Sequence, residues 1–171
     1  MKDAPLYIVS LREDLLEACA AIAATAPDPW TREGLAACLA SAHQPVFVAL
    51  DPAGQPLGFA AFLLANSVAD LALLAVAPAA RRQRVARRLL AHALGQLAEV
   101  NIQQVLLEVR ASNSAALPLY EGLGFTRLAL RPALFSHPRE DGWMMALPLA
   151  AEAKYEDHED KGYATTGNEP P

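Results

Sequence analysis

Residues 71–90, LALLAVAPAARRQRVARRLL, constrain the fold more than any other part of the chain. They open with six apolar residues, which predict a buried strand that ends before Pro78. Five arginines follow within eight positions, and apolar residues then recur at helical spacing between residues 85 and 97. A helix N-terminus carries unpaired N–H groups and a partial positive charge. The order of strand, break and basic helix start therefore predicts a phosphate site.

The arginine-rich segment has two interpretations. In the first, the backbone amides of residues 82–87 surround a pyrophosphate, and arginine side chains reach a further phosphate. In the second, the segment is a solvated basic helix face that contributes only to solubility. The strand and the proline that precede the arginines favour phosphate binding.

Composition predicts one globular domain. The chain has 171 residues and is 53% hydrophobic, which is enough for a substantial core. No apolar run reaches the ~20 residues of a membrane span, and the N-terminus has no apolar signal segment. We therefore expect a cytoplasmic monomer with no membrane partner. Cys19 and Cys38 lack metal-ligand spacing and are expected to be reduced, partly buried and structural.

Charge is distributed unevenly along the chain. The net charge is −5, and the last 21 residues contribute six acids and two lysines to it. We interpret residues 1–150 as the folded domain and residues 151–171 as a disordered acidic tail. The basic residues form one local cluster, which argues against a nucleic-acid partner. The four histidines lie in separate segments, so no metal site is predicted.

Periodicity predicts seven strands and four helices, with crossover helices that place the protein in the α/β class. The strands are expected at residues 6–9, 46–50, 57–64, 71–76, 104–110, 125–130 and 143–147. The helices are expected at residues 10–25, from residue 32, at residues 80–99 and at residues 112–123. Ser10, Thr31 and Ser112 or Asn113 are the expected caps, and Gly124 is expected to end the last helix.

Glu108 is a candidate general base. Alternation on its strand places Glu108 and Arg110 on one face and Leu107 on the other. A carboxylate that is buried in a sheet retains its proton at a higher pH, which suits this role. The alternative is a strand-end glutamate that pairs with Arg110 or Arg127, and periodicity alone slightly favours it.

Tyr120 is a candidate proton donor. It follows Asn113 by seven residues, or two helical turns, so both side chains can lie on the same helix face. The alternative is a packed helix aromatic, which residue type alone favours.

The residues around Glu108 and Tyr120 closely resemble the signature of the GNAT superfamily, and within it the RimI-type N-acetyltransferases, which acetylate the N-terminal alanine of a small-subunit ribosomal protein. The resemblance covers about residues 8–149. The matching positions are residues 107–113, Ala116, residues 119–121, residues 123–125, Arg131, residues 75–86, residues 29–31, residues 140–141 and residues 144–148.

The resemblance implies the GNAT fold, a mixed and mostly antiparallel sheet flanked by helices, and acetyl-CoA as co-substrate. It implies that Glu108 accepts a proton from the attacking amine and that Tyr120 donates one to the departing thiolate. No metal is required. The residues implied to bind the cofactor are Leu74, Ala75, Val76, Arg82, Gln83, Arg84, Val85, Ala86, Arg87 and Asn113.

Two positions depart from the family pattern. Arg84 stands where the first glycine of the phosphate loop is expected, so its side chain must point outward if the cofactor is to bind. Leu134 and Phe135 stand where a tyrosine pair is usual, which removes two hydroxyls near the peptide terminus.

The function that the resemblance implies is N-terminal alanine acetylation of a ribosomal protein. The alternatives are a GNAT enzyme for another peptide or small amine, and a degenerate CoA-binding module without turnover.

Overall fold

A seven-stranded mixed sheet organises the protein. The computed structural model describes residues 5–149. The strands are β1 (Tyr7–Ser10), β2 (Val46–Leu50), β3 (Pro56–Ala65), β4 (Val68–Val76), β5 (Gln104–Arg110), β6 (Thr126–Ser136) and β7 (Arg139–Pro148). Their order across the sheet is β1-β2-β3-β4-β5-β7-β6, and β4 and β5 form the one parallel pair in this sheet.

Four α-helices accompany the sheet in the described part of the chain. They are α1 (Leu16–Ala23), α2 (Arg32–Leu39), α3 (Val85–Glu99) and α4 (Ala116–Gly122). The predicted number and order of strands and helices are confirmed. The hydroxyl of Thr31 accepts a hydrogen bond from the Gly34 amide at 3.1 Å and so caps α2, as predicted. Gly124 follows α4 with a φ of 99°, the left-handed geometry expected of it.

Two predicted helix starts are wrong. Ser10 does not cap α1, because it is the last residue of β1 and pairs with Phe47; a 3-10 turn then precedes α1. The third helix begins at Val85 and not at residue 80, because Arg82 and Arg84 adopt left-handed backbone angles that no α-helix tolerates. The last two strands, in contrast, are longer than predicted and form a β-hairpin that extends beyond the body of the sheet.

The sheet separates two apolar layers. Phe59 and Ala61 of β3 pack with α1 and α2, whereas Ala60 and Phe62 pack with α3 and β5. Cys19 and Cys38 are unpaired and lie in the first layer, as predicted. Burial raises the pKa of the Cys19 thiol to about 11, so at neutral pH this thiol is protonated and unreactive.

A β-bulge opens the middle of the sheet. Ala61 pairs with Leu73 and Phe62 pairs with Leu71, so Ala72 is an extra residue on β4. A bulge bends its strand and increases the local twist. Pairing between β4 and β5 ends at Asp70 with Leu106, at the level of the bulge. The two parallel strands diverge from there, and the gap between them is where the candidate site lies.

Within residues 5–149, no helix is both long and apolar enough to cross a membrane. The acidic tail predicted at residues 151–171 lies outside the described residues.

Candidate active site

Two adjoining clefts flank the gap between β4 and β5. The carboxylate cleft, of about 520 Å³, is lined by Asp28, Asp70 and Glu108 together with Tyr120. The arginine cleft, of about 590 Å³, lies under the first turn of α3 and is lined by residues 80–82 and 84–87. Four residues line both clefts: Ala26, Pro27, Leu74 and Asn113. A molecule that fills one cleft can therefore extend into the other.

The last residues of β4 offer backbone donors to this gap. The Ala77 amide donates to Leu57 O at 2.8 Å, so in this part of β4 the odd-numbered residues face β3. The N–H groups of Leu74 and Val76 consequently point away from β3, toward the side where β5 has diverged. The Val76 carbonyl points to that side as well and accepts a hydrogen bond from Arg81 Nε at 3.1 Å.

The loop before α3 exposes the helix N-terminus to the arginine cleft. The first intrahelical bond runs from the Arg88 amide to Arg84 O at 3.0 Å, so the N–H groups of residues 85–87 have no partner one turn earlier. Arg82 and Arg84 have φ values of 64° and 60°. These left-handed angles explain why glycine is expected at position 84, and the Arg84 side chain is exposed, as cofactor binding requires.

Most of the predicted cofactor residues line the clefts. They are Leu74, Ala75, Val76, Arg82, Arg84, Val85, Ala86, Arg87 and Asn113. Gln83 does not line either cleft, and its side-chain amide donates to Ala79 O at 2.8 Å. That bond closes the turn before α3, so the Gln83 side chain supports the loop from outside the cleft.

Asn113 lies where the two clefts meet. Its Oδ1 accepts a hydrogen bond from the Ala116 amide at 3.0 Å, which caps the start of α4 as predicted from the sequence. The cap uses the acceptor end of the amide and orients its NH₂ group. Asn113 can therefore donate hydrogen bonds to a molecule that spans both clefts.

Glu108 is an exposed carboxylate on the wall of the carboxylate cleft. Val105, Leu107 and Val109 are buried under α3 and α4, which leaves Glu108 on the opposite face, next to Met144 of β7. The alternative ion pairs are wrong, because Arg110 pairs with Asp28 and Glu140 and Arg127 pairs with Glu121. The burial expected of Glu108 is also wrong. Within residues 5–149, its carboxylate makes no hydrogen bond, so it remains available as a proton acceptor.

Tyr120 is 7% exposed and lies on the inner side of α4. Its ring makes an edge contact with Phe125 at 5.8 Å, so the expectation of a packed helix aromatic is also correct. The ring nevertheless lines the carboxylate cleft, and no group of residues 5–149 hydrogen bonds to its hydroxyl. Burial raises the pKa of Tyr120 to about 12, so the phenol is protonated at neutral pH and can donate.

Arg110 is a site residue that the sequence analysis missed. It is 8% exposed, and its guanidinium donates to Asp28 at 3.2 Å, to Glu140 at 3.4 Å, and to the carbonyls of His137 and Pro138, both at 3.0 Å. Its place on the same strand face as Glu108 was the one available signal, since the partners lie 27 to 82 positions away in the chain.

Aromatic and apolar side chains complete the carboxylate cleft. Trp30, Phe135 and Met144 line it, and none of them was predicted from the sequence as a site residue. The Phe135 ring lies 4.4 Å from the Arg110 guanidinium. A Cβ on Gly142 would come within 2.7 Å of that ring, so the glycine provides the space that Phe135 fills. Phe135 occupies one position of the usual tyrosine pair, and it offers a ring face and no hydroxyl.

The geometry suits the transfer of a group from a phosphate-bearing carrier to an amine. One cleft provides helix N–H groups and arginines for phosphate, and the gap provides backbone N–H groups for a carbonyl oxygen. The other cleft provides a free carboxylate and a protonated phenol from different elements. Within residues 5–149, no three histidine, cysteine, aspartate or glutamate residues lie close enough to hold a metal ion.

Comparisons with known proteins agree with this geometry. A sequence model of the acetyltransferase (GNAT) family matches residues 10–125. The chain is 42% identical over 96 residues to the [ribosomal protein bS18]-alanine N-acetyltransferase of Escherichia coli K12, a match that covers 53% of this chain and 65% of that enzyme. The chain thus spans slightly less than two thirds of the length of this curated relative. It is 31% identical over 83 residues to N-alpha-acetyltransferase 30 of Saccharomyces cerevisiae, which covers 48% of this chain and 47% of that one.

Solved structures extend the likeness over the whole fold. The ribosomal-protein-S18-alanine N-acetyltransferase from Escherichia coli superposes with a TM-score of 0.77 and 33% identity, over 88% of this chain and 99% of that one. Ard1 from Thermoplasma volcanium superposes with the same TM-score at 23% identity, over 85% and 98% of the two chains, and shares the fold. The family match over most of the described residues, together with the gap in the sheet and the two clefts, shows that this chain belongs to the GNAT acetyltransferase family.

Proposed function

We propose that the protein is an N-alpha-acetyltransferase that transfers the acetyl group of acetyl-CoA to the N-terminal alanine of a small-subunit ribosomal protein. The proposal rests on one observation: the two clefts adjoin each other and share lining residues. Glu108 and Tyr120 line one cleft, the α3 N-terminus lines the other, and Leu74 and Asn113 belong to both. The named Escherichia coli relatives support the choice of acceptor.

The residues present fit acetyl-CoA. The free N–H groups of residues 85–87, with Arg82 and Arg87 beside them, suit its pyrophosphate. Leu74 and Val76 line the path between the clefts, and their outward N–H groups suit the pantetheine amides and the thioester oxygen. Acetyl-CoA supplies an activated acyl group; the protein supplies position, donors and a proton acceptor.

Glu108 prepares the acceptor in this proposal. An N-terminal ammonium has a pKa near ~8, so at neutral pH most of the acceptor must lose a proton before it can attack. The Glu108 carboxylate has no competing hydrogen bond within the described residues, so it can take this proton directly or through one water. Asp70 lines the same cleft and adds to its attraction for a cationic N-terminus.

Charge develops at two other atoms during the transfer. Negative charge on the thioester oxygen is stabilised by a backbone N–H at the end of β4, with Val76 as our assignment. The departing thiolate receives a hydrogen bond, and then a proton, from Tyr120, whose phenol is protonated across the neutral range because burial raises its pKa. No covalent bond to the enzyme forms at any step.

Two alternatives differ from this proposal in what they predict. A GNAT enzyme for another peptide or small amine is favoured by Phe135, which stands in place of a tyrosine at the acceptor end of the site. A module that binds CoA without turnover is favoured by the arginine at position 84. We further predict a cytoplasmic monomer that has no nucleic-acid or membrane partner.

The test is thiol release from acetyl-CoA with an alanine-terminated peptide, run beside the N-acetylated form of the same peptide and a panel of small amines. We expect release with the free peptide only. Release with small amines alone would support the second enzyme function, and acetyl-CoA binding without release would contradict both enzyme functions. Mass spectrometry of protein N-termini from cells with and without the protein would then identify the acceptor.

A further inference from the structure

The 25–30 loop between α1 and α2 forms a wall that both clefts share. Ala26 and Pro27 line both clefts, while Pro27, Asp28 and Pro29 are exposed to solvent. A proline-rich exposed loop has little apolar contact to hold it in place. Side-chain bonds from two arginines therefore hold it. Arg81 donates to the Thr25 hydroxyl at 3.2 Å on the side of the arginine cleft, and Arg110 binds Asp28 on the side of the carboxylate cleft.

Arg110 also holds the opposite wall of the carboxylate cleft. Its NH1 donates to Pro138 O and to Glu140, and its NH2 donates to His137 O, so it fixes the turn between β6 and β7. The Phe135 ring packs on the same guanidinium. One buried side chain on the floor strand β5 thus joins two walls that are far apart in the chain. Among residues 5–149 its Nε is buried without a hydrogen-bond partner, a cost that the five other bonds offset.

We propose that Arg110 is a positioning residue for the acceptor: it sets the distance between the 25–30 loop and the β6–β7 turn, and so determines acceptor affinity. This rests on the proposed function, because it assigns the carboxylate cleft to the acceptor. Arg110 acts through Asp28 and Phe135, and it contacts no reacting atom. Arg81 holds the same loop in place on the side of the arginine cleft, through its hydrogen bond to Thr25.

The chemistry of arginine suits this task and that of lysine does not. A planar guanidinium offers donors in several fixed directions. It can therefore bind both oxygens of a carboxylate and, at the same time, two backbone carbonyls. A lysine ammonium at the same place reaches fewer partners and does not stack flat on a phenyl ring. Asp28 binds Arg110 through both oxygens, at 3.3 and 3.2 Å, which fixes the orientation of its carboxylate.

Asp28→Asn is the first test, because Asp28 is exposed and its replacement leaves the core intact. We expect the KM for an alanine-terminated peptide to rise about tenfold, the size of effect that loss of one charge-assisted hydrogen bond produces. We expect kcat at saturating peptide and the Kd for acetyl-CoA to change less than about twofold, because Glu108 and Tyr120 are untouched and Asp28 does not line the arginine cleft. Arg110→Lys should raise the same KM further, again without change in the Kd for acetyl-CoA.

Arg127 and Glu121 provide matched controls. Arg127 also pairs with a carboxylate, at 2.8 Å, and also lies over an aromatic ring, but neither residue lines a cleft. Glu121→Gln and Arg127→Lys should leave both KM and kcat unchanged. The double variant Asp28→Asn with Arg110→Lys should be no worse than Arg110→Lys alone, because Asp28 acts only through its contact with Arg110 and Arg110→Lys already disrupts that contact.

The outcomes separate the inference from the proposed function. A wild-type enzyme that acetylates no peptide overturns both. An active wild type whose Asp28→Asn variant keeps its peptide KM overturns the inference alone, as does a fall in kcat with KM unchanged. Effects that add in the double variant would mean that Asp28 contacts the peptide independently of Arg110, which also overturns the inference.

Discussion

The arginine cleft and the carboxylate cleft are built in different ways. The arginine cleft uses mainly backbone groups from one continuous segment, the end of β4 and the start of α3. The carboxylate cleft combines residues of the 25–30 loop, β4, β5, α4, β6 and β7, which include Asp28, Glu108, Tyr120 and Phe135. Backbone groups can bind the same cofactor whichever side chains are present. Side chains, in contrast, determine the chemistry of a site and the acceptor that it selects. The two clefts should therefore respond differently to mutation: changes in the carboxylate cleft should alter the rate or the affinity for the acceptor, and changes in the arginine cleft should alter cofactor affinity.

Glu108→Gln should produce the largest effect. The amide keeps the shape of the side chain but cannot accept the proton of the ammonium, so we expect kcat to fall by about 10³-fold, within the usual range for loss of a general base. The Kd for acetyl-CoA should not change. Steady-state kinetics and calorimetry measure the two quantities, with Glu99→Gln at the exposed end of α3 as the control. Near-normal turnover would remove Glu108 from its role.

Tyr120→Phe should have the next largest effect. The ring still fills its place against Phe125, so the loss is limited to the hydroxyl, and we expect single-turnover acetyl transfer to slow by about 10²-fold. Because burial raises the pKa of Tyr120 to about 12, ionisation of this phenol should not limit the wild-type rate between pH 7 and about 10. Tyr7→Phe on the exposed edge strand is the control. An unchanged single-turnover rate would contradict the role of proton donor.

Arg84→Gly should have a small effect of the opposite sign. Arg84 has a φ of 60°, which glycine adopts without strain, so we expect the free energy of unfolding to rise by up to about 1 kcal/mol. Acetyl-CoA should bind equally well or more tightly. Asn101→Gly relieves a similar left-handed residue, with a φ of 63°, at the end of α3 and outside both clefts, so it should change stability alone. A large loss of affinity in Arg84→Gly would mean that the Arg84 side chain contacts the cofactor.

Glu140→Gln should lower stability slightly at neutral pH and make stability less sensitive to acid. The Ser112 side chain, then the Ser112 amide, which donates a hydrogen bond at 2.7 Å, and then the Arg110 guanidinium lower the pKa of Glu140 below its ordinary value of 4.5. The folded protein therefore binds this proton less tightly than the unfolded chain does. Its stabilising contribution is complete above pH 4.5 and is lost as the pH falls through the lowered pKa. Denaturant unfolding should show a shallower loss of stability below pH 4.5 in the variant; an identical slope would contradict this.

The difference between the clefts also explains what the sequence could predict. The arginine cleft is local, so the strand, the break and the helix could all be located from residues 71–90, although α3 begins at Val85 and not at residue 80. Positive φ at Arg82 and Arg84 caused that error, since neither residue is of a type that favours left-handed angles. The strands were equally clear, because side-chain alternation depends on neighbours two positions away.

The carboxylate cleft could be predicted only in part. Glu108, Asn113 and Tyr120 lie within 13 positions of one another and carry a family signature. Arg110 has the same neighbourhood, but its partners come from the 25–30 loop and the β6–β7 turn, and no periodicity joins those segments to β5. Side chains that act through tertiary contacts leave no local pattern, so a structure was needed to find them.

The extra residue at Ala72 has a consequence for how this fold can change over time. Before the bulge, Ala69 and Leu71 face the layer of α3; after it, Ala75 faces the layer of α1 and α2. The strand is thus two half-strands in opposite phase. Because Leu71 pairs with Phe62 and Leu73 pairs with Ala61, deletion of this one codon would remove the bulge and leave every later side chain of β4 in its present layer. The gap beside β5 therefore depends on a single inserted residue, and a chain of this fold could gain or lose it in one step without exchanging the two apolar layers that β4 separates.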